Sequence, residues 1–361
     1  VPASAATLNA GGTTEIKADS KEDITSVTVS AAGGGIGVAG AVGVKVLKSE
    51  TSAFIGQNTS VNQTRHGAAQ DVIVSAADDV KLSGGGGTGA VGGFAGAGAT
   101  AEVNIIRNTT TAYIGDSAKV SADQDVKVTA ASVKDVQSAA VALAGGASVG
   151  IGGAVSVVTI GAALDKDSQG SLSSEGSSGQ TASFADSKMK EDRVSGQLGN
   201  SEHVQGTKTK VSGGVAGLGV AADMNEASVS SLDKTQAYVG TGSKIVAGRD
   251  VKVSATDKMK VDAKAAGAAG GFVGIGGAVG VAIAHSTTEA FVGTQAQINA
   301  GGKVDVIANA GNVDASGSKV QALAGAGGVV GLSAAVSVMD DSSTTRAYLG
   351  NSVDIQDGTT L

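Results

Sequence analysis

Gly145-Gly146-Ala147-Ser148-Val149-Gly150-Ile151-Gly152-Gly153-Ala154-Val155-Ser156-Val157-Val158 keeps an alternation of two through its glycines and on into a run of branched apolar residues. A period of two belongs to extended backbone, with successive side chains on opposite faces. Gly and Ala stand where other strands carry bulk, which lets another backbone come close. Versions of this phrase centre on Ile36, Phe94, Ile151, Leu218, Ile275 and Leu332, in steps of 58, 57, 67, 57 and 57 residues. A fixed period of that size predicts a repeat array in which each unit buries its apolar side against its neighbours. Residues 1–361 therefore read as one continuous array and not as two or three globular domains.

Two further phrases recur in register with the first. One is an alternating strand: Asp71-Val72-Ile73-Val74, Asp125-Val126-Lys127-Val128, Asp250-Val251-Lys252-Val253 and Lys303-Val304-Asp305-Val306. The other runs Thr-x-Ala-aromatic-aliphatic-Gly and places Phe54, Tyr113, Tyr238, Phe291 and Tyr348 at matching positions. Their simplest role is a stacked ladder; a carbohydrate-binding platform is the functional reading of the same rings. The segment 165–210 departs from the pattern. It is polar, is spaced for a short amphipathic helix over 182–194, and reads as an excursion whose Phe184, Lys188, Lys190 and Arg193 are candidate binding residues, since loops on rigid scaffolds often carry function.

Composition fits a thin core. The chain has 57 Gly, one Pro, no Cys and 2 % aromatic residues, so Ala, Val and Ile must fill whatever interior exists, without disulfides or thiolate chemistry. A net charge of −7 with no Lys/Arg cluster argues against nucleic acid and anionic membrane surfaces. The long uncharged stretches are too rich in Gly for membrane helices. No glycine run is followed by the Lys and Ser/Thr of a phosphate loop. His66, His203 and His285 lack metal-ligand spacing and read as surface residues, while Asp78-Asp79 and Asp340-Asp341 read as solvated turn charges. No catalytic constellation, cofactor site or metal site is expected.

A 57-residue unit divides into three coils of 19, which predicts an all-β parallel β-solenoid of about nineteen coils, a rod of about 90 Å at roughly 4.8 Å per coil; two coils of about 28 residues would make it shorter. Leu8-Asn9-Ala10-Gly11-Gly12 repeats as Ile298-Asn299-Ala300-Gly301-Gly302, so the text reads as part of a longer array.

The phrases Ile105-Ile106-Arg107-Asn108-Thr109-Thr110-Thr111-Ala112-Tyr113-Ile114-Gly115 and Gly152-Gly153-Ala154-Val155-Ser156-Val157, set among Asp-Val-x-Val strands, resemble the repeat regions of large filamentous-haemagglutinin-like adhesins, and within them the leukotoxin-type filamentous adhesins of Gram-negative bacteria. The resemblance covers the chain outside about 165–210. It implies a right-handed parallel β-helix, two-partner secretion through an outer-membrane protein, and attachment at the cell surface to a receptor or glycan of host or neighbouring cells. The expected function is a structural and adhesive segment of a secreted filament, a monomeric rod without a membrane span. The rivals are a segment of a secreted cytotoxin acting on host membranes and a β-helix polysaccharide-active enzyme.

Overall fold

The computed structural model describes residues 6–64, 69–162 and 233–357, and among these there is no helix. Five successive layers of strand stack in parallel. The first holds β1 (Thr7–Leu8) and β2 (Thr14–Ile55), and the second β3 (Ser60–Val61) and β4 (Val72–Ile114). The third holds β5 (Lys119–Ala122), β6 (Val126–Gly146), β7 (Val149–Ile160) and β8 (Asp233–Val239). The fourth repeats that plan with β9 (Lys244–Ala247), β10 (Val251–Gly270), β11 (Val273–Ala284) and β12 (Ser286–Val292). The fifth holds β13 (Gln297–Ala300), β14 (Val304–Asn312), β15 (Lys319–Gly327), β16 (Val330–Asp341) and β17 (Thr344–Leu349), and β18 (Asp354–Asp357) begins another. The short strands β1, β3, β5, β9, β13 and β18 make a six-stranded sheet of their own; the long ones make the larger sheet.

The register corrects the expected division into three coils. Val72 pairs with Thr14 and Val126, and Val251 pairs with Val126 and Val304. One whole repeat thus makes one layer. The quoted phrase is also not a single strand: β6 ends at Gly146, the chain reverses through Ala147-Ser148, and β7 returns along β6. An arm of about 20 residues spans about 65 Å, whereas five layers rise only about 20 Å, so the described structure is a broad plate and not a slender rod.

Interior residues explain how so long an arm packs. At its base, β2, β4, β6 and β10 enclose with the short sheet a core of Val72, Val74, Val126, Val128, Ile245, Ile298 and their neighbours. Farther out the facing residues are Leu82, Val136, Ile106, Val158 and Ile160, then only alanines such as Ala140, Ala142, Ala154 and Ala265. Near the tip they are glycines. A Cβ built on Gly152 would collide with the carbonyl of Ala268, and one on Gly276 with that of Gly325. The interior therefore tapers from Val and Ile through Ala to bare backbone, and close approach is what the glycines provide. Val155 and Val157 point the other way along β7 and join Ala101, Val103, Ile105, Val279 and Val281 in a separate buried cluster.

The six sequence copies are not six equivalent layers. Among the described residues, Ile151 pairs directly with Ile275, which pairs with Leu332. Leu218 itself, and the excursion 165–210 with Phe184, Lys188, Lys190 and Arg193, lie outside the described residues. Val38 and Ala97 complete the column of Ile151, because a register irregularity at Gly34/Ile36 and the reversal before Ala95 displace the first two copies. Ile36 and Phe94 consequently sit at the arm tip, each 71 % exposed, whereas Ile275 is fully buried.

Candidate functional site

Three features gather the side chains that could carry function. The first is the aromatic column. Phe54, Tyr113, Tyr238, Phe291 and Tyr348 stack with centroids 5.0, 4.8, 4.9 and 4.9 Å apart and planes within 7° of parallel. Their strand neighbours Ala112, Ile114, Ala237, Val239, Ala290 and Val292 are buried, so the rings occupy the outward face. Each ring lies over the next, and each such pair contributes about 0.5–1.5 kcal/mol beyond area burial. The stacking also covers ring faces that a sugar would need, leaving edges and the hydroxyls of Tyr113, Tyr238 and Tyr348. Burial and the neighbouring Tyr113 and Asp116 push the Tyr238 hydroxyl up to about 12. Beside the rings, Gln236 Nε2 and Arg346 Nε donate to Glu289 over 3.1 and 3.0 Å.

The second feature is the outer face of the long arms. Outward-facing Gly85 and Gly87 of β4 are flanked by Val27 and Val29 of β2, paired with them, and by Ala139 and Val141 of β6 on the other side. The result is a trough with a glycine floor and apolar walls, continuing at one end into a cleft of about 240 Å³ that Gln137, Asp262 and Lys264 also line. Val27, Val29, Leu143 and Leu323 are all more than half exposed on this face. Exposed apolar surface of this kind marks contact with another molecule.

The third feature was not anticipated. A polar seam crosses the interior between the base core and the Leu82–Ile160 cluster. Asp78, read above as a solvated turn charge, is 2 % exposed within β4, because strand alternation places it in the inward phase of Val72, Val74 and Ala76. It accepts a hydrogen bond from Asn108 Nδ2, which also donates to Ser132 Oγ at 3.1 Å. Burial, and then the nearby Glu22 carboxyl, push Asp78 up to about 6. Glu22 accepts from Ser20 Oγ and Ser49 Oγ at 2.5 and 2.9 Å. One layer on, the fully buried Lys134 lies 2.9 Å from Asp233 Oδ2 and 2.6 Å from Asp257 Oδ1. A further buried pair joins Lys45 to Glu102, whose carboxyl is raised by burial against the pull of Lys45. Asp340 and Asp341 are exposed at the end of β16.

A pH dependence follows from the seam. Folded Asp78 holds its proton to about pH 6, and the unfolded carboxyl only to 3.8, so between those values the native chain binds more protons and its stability rises as pH falls. Asp125 acts oppositely. Arg249, donating to it at 2.7 and 3.0 Å, holds its carboxyl well below the usual range, a stabilisation present above the unfolded value and lost as pH falls through it. Unfolding free energy from urea titrations should therefore be highest near pH 4–5 and decline towards neutrality by about 2 kcal/mol. Asp78→Asn should flatten the neutral-side slope. An unchanged slope in that variant would remove Asp78 as its source.

His285 is half-buried at the link between β11 and β12, and His66 and His203 lie outside the described residues. Among the described residues no three His, Cys, Asp or Glu side chains are placed to share a metal ion, and no helix is long and apolar enough to cross a membrane. No family profile, curated protein or solved structure matches the chain.

Proposed function

We propose that the chain is a structural and adhesive segment of a secreted bacterial surface filament, built as a right-handed parallel β-helix and engaging a receptor or glycan on host or neighbouring cells. The observation that carries this reading is the parallel pairing of five successive repeats, in which one repeat makes one layer and can be followed by the next. Such an array turns sequence length into extended surface. Its glycine-floored outer trough supplies an apolar strip for contact, and the aromatic column beside Glu289 and Arg346 supplies a polar one. In this reading the protein is not an enzyme, uses no cofactor, binds no nucleic acid, and leaves the cell through an outer-membrane partner, as its resemblance to filamentous adhesins implies.

Binding of the purified chain to cultured cells and to a glycan array tests the proposal. Saturable binding is expected, with Val29→Asp combined with Leu143→Asp lowering it at least about tenfold while circular dichroism stays unchanged. Absence of binding to any cell or glycan would remove the adhesive role. The cytotoxin reading draws on one specific observation, the exposed apolar tip formed by Ile36, Val91, Phe94 and Phe272. Dye release from liposomes by the intact chain, abolished by Phe94→Ser with Phe272→Ser, would favour it over adhesion.

A further inference from the structure

Lys134, Asp233 and Asp257 form an arrangement unlike an ordinary ion pair. The side chains are 0 %, 0 % and 3 % exposed, and apolar clusters lie on both sides of the seam that holds them. Lys134 Nζ donates a hydrogen bond to Asp257 Oδ1 at 2.6 Å. Asp233 Oδ2 is nearly as close, at 2.9 Å, yet among the described residues neither Asp233 oxygen has a hydrogen-bond partner of acceptable geometry. The amine is thus aimed at one carboxylate and pressed against the other. Two carboxylates and one ammonium also leave an excess negative charge in the interior, which is costly unless a proton or a reaction removes it.

We propose that Lys134 and Asp233 join in an intramolecular isopeptide bond, with Asp257 as the proton-transfer group. The step balances with Asp233 as the carboxylic acid. Asp257 takes a proton from the Lys134 ammonium, and the freed lone pair attacks Asp233 Cγ to form the N–C bond. Asp257 then relays the second N–H proton to the departing hydroxyl, which leaves as water, while the ammonium's first proton stays on Asp257. Lys134, Asp233 and Asp257 begin as a cation, a neutral acid and an anion; they end as an amide, a neutral acid and one water. No oxidant or other reagent is consumed.

Three properties of the site favour this direction. Holding amine and carboxyl in contact makes the reaction unimolecular, which replaces a large entropic barrier. Exclusion of water weakens both the solvation that protects the charged pair and the reverse hydrolysis. Burial pushes the Asp233 carboxyl up to about 6 despite Lys134, and repulsion from Asp257 adds to that, so the acid form needed for attack is available near neutrality. Asp257 also lines a cleft of about 350 Å³ with Met259, Ser286 and Ser343.

The location gives the bond a purpose. Chain continuity between β7 and β8 runs through residues 163–232, and Ala162 and Asp233 flank them on either side. Gly161 takes a left-handed φ of 65°, and a Cβ there would strike the Asp233 backbone, so the two ends lie side by side. An amide from Lys134 on β6 to Asp233 on β8 would tie the third layer together independently of those 70 residues. In a fibre under tension, load could then bypass them.

Mass spectrometry of the purified full chain decides the matter. The folded protein should weigh less than its sequence by one water, and a complete tryptic digest should contain peptide 128–166, uncut at Lys134, joined to peptide 211–234. Lys134→Arg should restore the full mass. Asp257→Asn, which keeps both reacting groups, should slow the loss of water by about a hundredfold, with folding of each variant checked by circular dichroism. A folded wild-type chain of full sequence mass would overturn the proposal. So would a water loss that maps to Asp357-Gly358, where a succinimide has the same mass, and an unchanged rate in Asp257→Asn would overturn the role of Asp257.

Discussion

Gly152→Val is expected to lower unfolding free energy by about 3 kcal/mol or more, read as a shift of the urea midpoint, and Gly276→Val to do the same. At both positions the first added carbon falls on a carbonyl of the facing arm, Ala268 or Gly325. Backbone in a hydrogen-bonded ladder cannot swing aside as a flexible side chain can. Relief would require the two arms to separate along several layers, which would also loosen the alanine cluster next to them. Gly153→Ala is the control, since nothing lies within 4 Å of its added Cβ. That change should be neutral or stabilising by about 0.5–1 kcal/mol, as expected for Gly to Ala in extended structure. Equal losses at Gly152 and Gly153 would show that these glycines act through strand propensity, and the close approach of the arms would lose its support.

Much of this architecture was legible, for identifiable reasons. The Asp-Val-x-Val strands announce themselves because a period of two in Val72-Ile73-Val74 or Val251-Lys252-Val253 leaves one face apolar, and their spacing matches the register in which Val72, Val126, Val251 and Val304 actually stack. The aromatic phrase is legible for the same reason, and its five rings do form a column. What escaped reading was the size of a layer. Gly, Ala and Ser carry little contrast between strand and reversal, so the turn at Ala147-Ser148 is hidden inside text that alternates on both sides of it. Arithmetic on 57 then offered three coils where the chain makes one long outward and return path. The seam was missed differently. Asp78 and Lys134 stand in phase with Val72, Val74 and Ala76 or with Val126, Val128 and Ala130, and a charge in the apolar phase of a strand is a readable signal. Its partner Asp233 could not be located that way, because only the fold brings residues 134 and 233 together.

Lys134→Met should cost about 3–5 kcal/mol at neutral pH, the largest effect of any single interior substitution discussed for this chain. Methionine fills much of the lysine's volume, so the loss would not be a cavity effect. It would come from loss of the amide proposed between Lys134 and Asp233, and from Asp233 and Asp257 left facing each other with no cation and almost no solvent. Asp233, raised by burial against the pull of Lys134, would then be held more firmly as an acid in the folded chain, and the sign of the pH dependence follows. A group whose folded pKa is raised binds more protons when folded, so the variant should regain stability as pH falls from neutrality towards the unfolded carboxylate range near 4. Replacing the whole group, as Lys134→Met with Asp233→Leu and Asp257→Leu, should recover the part of the loss at pH 7 that comes from the buried carboxyls, because an apolar triad has no charge to desolvate. Urea titrations of the single and triple variants at pH 5 and 7 test both statements. If the single variant were as stable as the parent at pH 7, the seam would not be the dry, charge-bearing joint that its burial describes, and the layers across residues 163–232 would have to be held by main-chain pairing alone.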